Sequence, residues 1–230
     1  MARLRPHRRA LAAGVVLALI VVALVVGLSE GGTGTEAPDD VPTLAAARAD
    51  VAGAPTALAR LYSGSGGRAA AGGVPVLDLG RPGFRDLLRG LRGRPVLVNV
   101  WYPTCAPCVR EFPILQAASA RYGRRMAFLG VVTQGSTDEI DAFLKEHPTV
   151  YPHVRDPGKR IARDLRTGQA FPSSVLIDAR GEILDVHIGE YPSPADLERD
   201  LARLGIGPDD QQTTTAPRAA AAPAPAGATR

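Results

Sequence analysis

Cys105 and Cys108 are the only cysteines of the 230-residue chain, with two residues between them in Cys105-Ala106-Pro107-Cys108. A Val-rich apolar run, Arg94 to Trp101, precedes them, and Cys108 to Arg125 follows with apolar residues at helical spacing, among them Phe112, Leu115 and Ala118. The pair therefore falls where a buried strand meets a helix. Cys105 is placed at the helix N-terminus, where unpaired N–H groups and the dipole favour a thiolate and lower its pKa. Cys108 lies one turn on, close enough for a disulfide and shielded as the resolving thiol. A Cys105 thiolate would attack a disulfide and form a mixed disulfide, which Cys108 would resolve. Glu111, three residues after Cys108, shares its helix face, where a partly buried carboxylate could accept that thiol's proton.

Two other uses of the pair are weaker. A four-residue loop constrains little of the unfolded chain, which argues against a structural crosslink. A zinc site needs two more ligands from His7, His147, His153 and His187, and none of these stand at ligand spacing. No metal and no cofactor are expected.

The elements around the motif read as an α/β layer. Met126 to Thr133 is a second buried strand. Thr137 to His147 is a helix with a Thr cap and early acids, ended by Pro148. Gly158 to Arg166 is a short helix, and Ser173 to Asp178 and Glu182 to Ile188 form a hairpin through Ala179-Arg180-Gly181. Ser193 to Leu204 is an amphipathic helix with Ser at its cap, Pro just inside and Gly205 just past it. The order β-α-β-α then β-β-α predicts a mixed central sheet flanked by helices.

The stretch from Val98 to Pro113, VNVWYPTCAPCVREFP, resembles the membrane-anchored thioredoxin-like proteins of the TlpA/ResA/CcmG type. The resemblance covers residues 74–207. Trp101, four before Cys105, matches the structural tryptophan of that family, and Pro113, five after Cys108, matches the proline that kinks its first helix. Glu111 matches the acidic residue of this branch. Tyr151-Pro152 through Asp156 and Gly158 is similar to an insertion before the last helix–strand unit. Pro172 in Phe171-Pro172-Ser173-Ser174 matches the cis-proline loop that faces the cysteines. The resemblance implies a thioredoxin-like fold and thiol–disulfide oxidoreductase activity, with Cys105 as nucleophile, Cys108 as resolving thiol, Glu111 handling protons and Pro172 in the substrate loop. It also implies reduction of specific extracytoplasmic proteins, such as apocytochrome c before haem attachment, with electrons from a membrane thiol donor. Oxidation of secreted thiols and copper chaperoning are the alternatives; the second usually has wider cysteine spacing and a partnered His. Thr104, Ala106 and Phe171 depart from the family's common residues, and with Pro107 they line the expected docking groove. Asn99, the chain's only asparagine, is expected to be hydrogen-bonded inside its strand.

The charge sets the compartment. The formal net charge is +4, but Arg3, Arg5, Arg8 and Arg9 crowd the first ten residues, and the rest of the chain is balanced. A nucleic-acid partner is therefore not expected. Behind this tip, residues 11–28 are 18 uncharged, apolar residues without polar periodicity. As a helix they would span about 27 Å, close to a bilayer's hydrocarbon core. A single transmembrane signal-anchor is expected, a cleaved signal peptide being the alternative, with Gly27-Leu28-Ser29 its best site. Positive charge before the span puts the N-terminus in the cytoplasm and the catalytic domain outside it, on the cytoplasmic membrane. Residues 29–73 are expected to be a flexible linker of roughly 35–40 Å root-mean-square span, within which Pro55 to Tyr62 could form one short helix. Residues 74–207 form the thioredoxin-like domain, residues 208–230 a disordered tail, and the molecule is expected to be monomeric.

Overall fold

A computed structural model describes residues 38–63, 67–70 and 73–207. The expected basic tip, the 11–28 span and the 208–230 tail lie outside these residues. Among the described residues, no helix is long and apolar enough to cross a membrane. In chain order the elements are α1 (Leu44–Asp50), α2 (Thr56–Tyr62), β1 (Arg68–Ala69), β2 (Pro75–Leu77), α3 (Gly80–Gly90), β3 (Val96–Trp101) and α4 (Ala106–Tyr122). There follow β4 (Ala127–Val132), α5 (Thr137–Glu146), β5 (His153–Arg155), α6 (Arg160–Asp164), β6 (Ser173–Ile177), β7 (Ile183–Ile188) and α7 (Pro194–Arg203).

The strands form one mixed sheet in the order β1-β2-β5-β4-β3-β6-β7. Strands β2, β5, β4 and β3 run parallel, while β6 lies antiparallel to β3, with Val96 opposite Ile177 and Val100 opposite Ser173. The start of β6 is thus brought to the end of β3. Every residue of β3 and β4 is buried, because helices cover both faces of the sheet. Val96, Val98 and Val100 point into one core with Phe84 of α3 and Ile161 of α6. Leu97 and Leu176 point into the other with Ile114 and Leu115 of α4 and Leu197 and Leu201 of α7. A third cluster closes the C-terminal end of the parallel strands, where Trp101, Cys105, Cys108, Phe112, Ile140 and Phe143 pack together.

Caps explain where the helices begin. Ser193 caps α7 ahead of Pro194, as expected, and Gly205 follows its end at φ +74°. The cap of α5 is Ser136, one residue before the expected Thr137. Its hydroxyl accepts from Glu139 N–H at 3.2 Å and the Glu139 carboxylate accepts from Ser136 N–H at 2.7 Å. The short strands β2 and β5 and the helix α3 extend the expected order. Gly80, Pro82, Gly83 and Gly90 mask α3 in the sequence, although Phe84 anchors it.

The short helix expected at 55–62 is present as α2, but the described part of the linker is packed and not a free tether. It carries α1 and α2, with Ala47, Val51, Ala54, Leu58 and Leu61 buried in the two main cores. Tyr62 donates to the Met126 carbonyl at 2.9 Å, and Arg48 donates to the Gly73 carbonyl at 2.7 Å. The Ala-rich composition that reads as a tether is also good helix-forming composition, and its few larger apolar residues suffice to seat it. Leu58 is fully buried. Leu58→Ala is expected to lower unfolding stability by about 2–5 kcal/mol in denaturant titration, whereas a tether residue would leave it unchanged.

Candidate active site

Strand β3 delivers the chain to the sheet end, and Cys105 becomes the N-cap of the 17-residue helix α4. Its Sγ accepts a hydrogen bond from Cys108 N–H at 3.2 Å. The two cysteines are joined as a disulfide with their Cα atoms 5.2 Å apart. In the reduced protein the same N–H and the helix dipole would stabilise a thiolate at Cys105. Cys108 is fully buried and Cys105 only 2 % exposed, whereas Thr104 and Ala106 stand at the surface and Pro107 is half-buried. Thr104 and Ala106, on either side of Cys105 in the chain, are the exposed residues of this loop.

Beside the disulfide, the Phe171–Pro172 peptide bond is cis, as the family resemblance implied. Pro172 is buried and its carbonyl accepts from Gly189 N–H at 2.9 Å. The half-buried Phe171 packs against the cluster that contains both cysteines and meets Tyr102 edge-on at 5.1 Å. Phe171 and Tyr102 thus both border the cluster that holds the cysteines, while Ala106 and Pro107 separate the two cysteines in the chain.

Glu111 is placed differently from expectation. It is wholly buried, not partly so. Its carboxylate accepts from Asn99 Nδ2 at 2.9 Å and from Tyr191 N–H at 3.3 Å, so its hydrogen-bond partners are these two groups and neither cysteine. Asn99, hydrogen-bonded in its strand as expected, also donates to Ser174 Oγ at 3.3 Å. Burial pushes the Glu111 carboxyl up to about 8, against the partial relief of its two donors. At neutral pH it therefore holds its own proton, and it becomes a proton acceptor only as the solution turns alkaline.

A second buried polar group lies below the disulfide. The Trp101 indole donates to His153 Nδ1 at 3.0 Å, and His153 Nε2 lies 2.8 Å from Thr149 Oγ1, which donates to the Tyr151 carbonyl at 2.9 Å. These partners require a neutral ring with its proton on Nε2. Burial holds its pKa near 3. The ring also closes an aromatic cluster in which Trp101 lies 4.9 Å from Phe112 and 4.5 Å from Phe143. Gly130 makes room for it, since a Cβ there would sit 1.9 Å from His153 Nδ1. His153 thus supports the tryptophan beneath the cysteines. Its sequence signal is slight, because 52 residues separate the partners.

The Redoxin family model matches residues 85–201, just over half of the chain. The chain belongs to the Redoxin family. Within it, this Redoxin chain is 27 % identical over 110 residues to the thioredoxin-like protein YneN of Bacillus subtilis, covering 46 % of this chain and 64 % of that protein. It is 28 % identical over 116 residues to the thiol-disulfide oxidoreductase ResA of Bacillus cereus, covering 50 % of this chain and 65 % of ResA. The matches thus span slightly less than two-thirds of those relatives. A solved structure described as a putative thiol:disulfide interchange protein DsbE from Chlorobium tepidum matches at 28 % identity with a TM-score of 0.46, covering 51 % of this chain and 84 % of that one. The Redoxin match, together with the mixed sheet and its flanking helices, identifies the fold as thioredoxin-like, and the resemblance to the TlpA/ResA/CcmG type holds.

The buried carboxyl makes stability depend on pH. Between its unfolded value of 4.5 and about 8, the folded chain keeps a proton that the unfolded chain releases, so stability falls as pH rises through that range. Below about pH 6.5 the unfolded chain's His153 binds a proton that the folded ring does not, which offsets the Glu111 effect there; by about pH 7.5 the ring is neutral in both states and drops out. In the disulfide form, raising the pH from 6.5 to 9 is expected to lower unfolding free energy by about 2 kcal/mol. Glu111→Gln is expected to flatten that slope, as urea titrations at the two pH values would show.

Proposed function

We propose that this chain is a membrane-tethered, extracytoplasmic thiol–disulfide oxidoreductase that reduces disulfides of particular proteins, apocytochrome c before haem attachment being the kind of target the family resemblance implies. The observation that carries the reading is Cys105 at the cap of α4, its Sγ taking the Cys108 N–H, with Cys108 sealed behind it. Related ResA proteins are named thiol-disulfide oxidoreductases, which supports the same chemistry. The tether rests on the apolar run of residues 11–28 behind its four arginines.

In the reduced chain, the Cys105 thiolate attacks one sulfur of the target disulfide. A bond forms between Cys105 Sγ and that sulfur, the target's S–S bond breaks, and the departing sulfur leaves as a thiolate that takes up a proton. Cys108 then loses its proton and attacks Cys105 Sγ, which breaks the mixed disulfide. The target leaves with two thiols and the chain with the Cys105–Cys108 disulfide. Two electrons have moved to the target, and a dithiol donor on the same side of the membrane must restore them. Glu111, one turn beyond Cys108, is the buried group whose proton exchanges at mildly alkaline pH.

Cys108→Ser removes the resolving step and leaves the attack intact. Full-length Cys108→Ser is expected to accumulate a reductant-sensitive adduct through Cys105, retained in alkali-washed membranes. Its absence, or equal trapping by Cys105→Ser, would contradict the exchange; an adduct confined to the soluble fraction would contradict the tether.

A further inference from the structure

The surface around the disulfide is electrically lopsided. On the side of the cis-proline loop, Lys159, Arg160, Arg163 and Arg166 fall within eight residues, and the three arginines are exposed. This flank reaches the site through direct contacts. Lys159 Nζ lies 5.3 Å from the centre of the Phe171 ring and donates to Gln169 Oε1 at 3.2 Å. Phe171 in turn touches Tyr102 and packs on the cluster that holds both cysteines. From the disulfide to α6 the path is continuous.

The acids near this flank are already engaged. Asp156 is buried, and its carboxylate accepts from the N–H groups of Arg160 and Ala162, each at 2.9 Å. Asp164 is shared by Arg81 at 2.6 Å and Arg85 at 3.0 Å, so α3 adds two cations for that single carboxylate. Beyond the cysteines, Arg110 is held by Glu190 at 2.7 Å. Asp78, exposed at the end of β2, faces Arg155, and Asp138 lies in the first turn of α5. Neither interrupts the run from Lys159 to Arg166. A cationic flank bordered by an aromatic pair suits an extended anionic segment, which gains Coulomb attraction on approach and is selected over cationic segments by repulsion.

We infer that the targets carry an acidic segment beside the cysteine that Cys105 attacks, seated across Phe171 on the Lys159–Arg166 flank. This rests on the thiol–disulfide reading of the site and names its substrate class. The exchange step is the one written above and needs no further reactant.

The test uses reduced full-length protein in a neutral detergent, with three peptide disulfides that differ only in flanking residues, acidic, uncharged or basic. Bis(2-hydroxyethyl) disulfide serves as an uncharged control. At low salt, reduction of the acidic peptide is expected to be about tenfold faster than that of the uncharged one, and the basic peptide slowest. In 0.5 M salt the differences are expected to shrink to about twofold or less. Lys159→Glu with Arg160→Glu is expected to bring the acidic-to-basic rate ratio near one, and charge reversal at Lys159, Arg160, Arg163 and Arg166 together to invert it. Equal wild-type rates for the three peptides, or a preference that survives charge reversal, would overturn the inference. So would binding of this flank to phosphatidylglycerol vesicles without any peptide preference, which would assign it to a lipid surface. Failure of the wild type to reduce bis(2-hydroxyethyl) disulfide would instead overturn the exchange chemistry itself.

Discussion

The hydrogen bond from Cys108 N–H to Cys105 Sγ is the contact on which the chemistry of the site turns, and the rest of the structure holds it in place. It exists only if α4 is capped by Cys105, a short turn beyond the C-terminal end of β3, and the hydrophobic layers secure that geometry. Valines of β3 face one core and Leu97 the other, so the strand's height and register are fixed from both sides. The third cluster then seals the sheet end with Trp101, Phe112 and Phe143 beneath the cysteines. A helix start that could slide by one residue would move the sulfur away from the N–H groups that favour its thiolate.

Two buried polar groups accompany this arrangement, and each is matched to its surroundings in a different way. His153 is satisfied as a neutral ring, because Trp101 donates to one nitrogen and Thr149 takes the proton of the other. Its pKa near 3 leaves it uncharged throughout the working range. Glu111 is only partly compensated, with two donors against full burial, and its carboxyl therefore titrates near pH 8. One group is a fixed neutral strut, and the other keeps a proton that it gives up only at mildly alkaline pH.

Local signals carried most of the site into the sequence. The Cys-x-x-Cys spacing, the apolar run before it, the i+3 relation of Glu111 and the proline at position 172 are all visible within short windows. Long-range partners were not. Trp101 and His153 meet only because β5 lies next to β4, and the glycine that admits the ring, Gly130, sits opposite His153 on the neighbouring strand. The depth of Glu111 was hidden for the same reason, since Tyr191 comes from 80 residues away. Strand β5 has only three residues, too few for an alternating pattern to declare itself. In the segment before residue 74, α2 was legible as a short helix at 55–62, whereas α1 was obscured by composition, because alanine serves a loose tether and a packed helix equally well.

Cys105 and Cys108, joined as a disulfide here, are proposed to form a reversible redox couple that reduces protein disulfides. The reduction potential of that couple tests this proposal most directly, measured on the full-length chain by equilibration against defined glutathione or dithiothreitol buffers. Thioredoxin-like dithiols range from about −270 mV to about −120 mV. A single two-electron transition is expected toward the reducing part of that range, below about −180 mV. A midpoint near −120 mV, or no intramolecular disulfide between Cys105 and Cys108 at equilibrium, would contradict it.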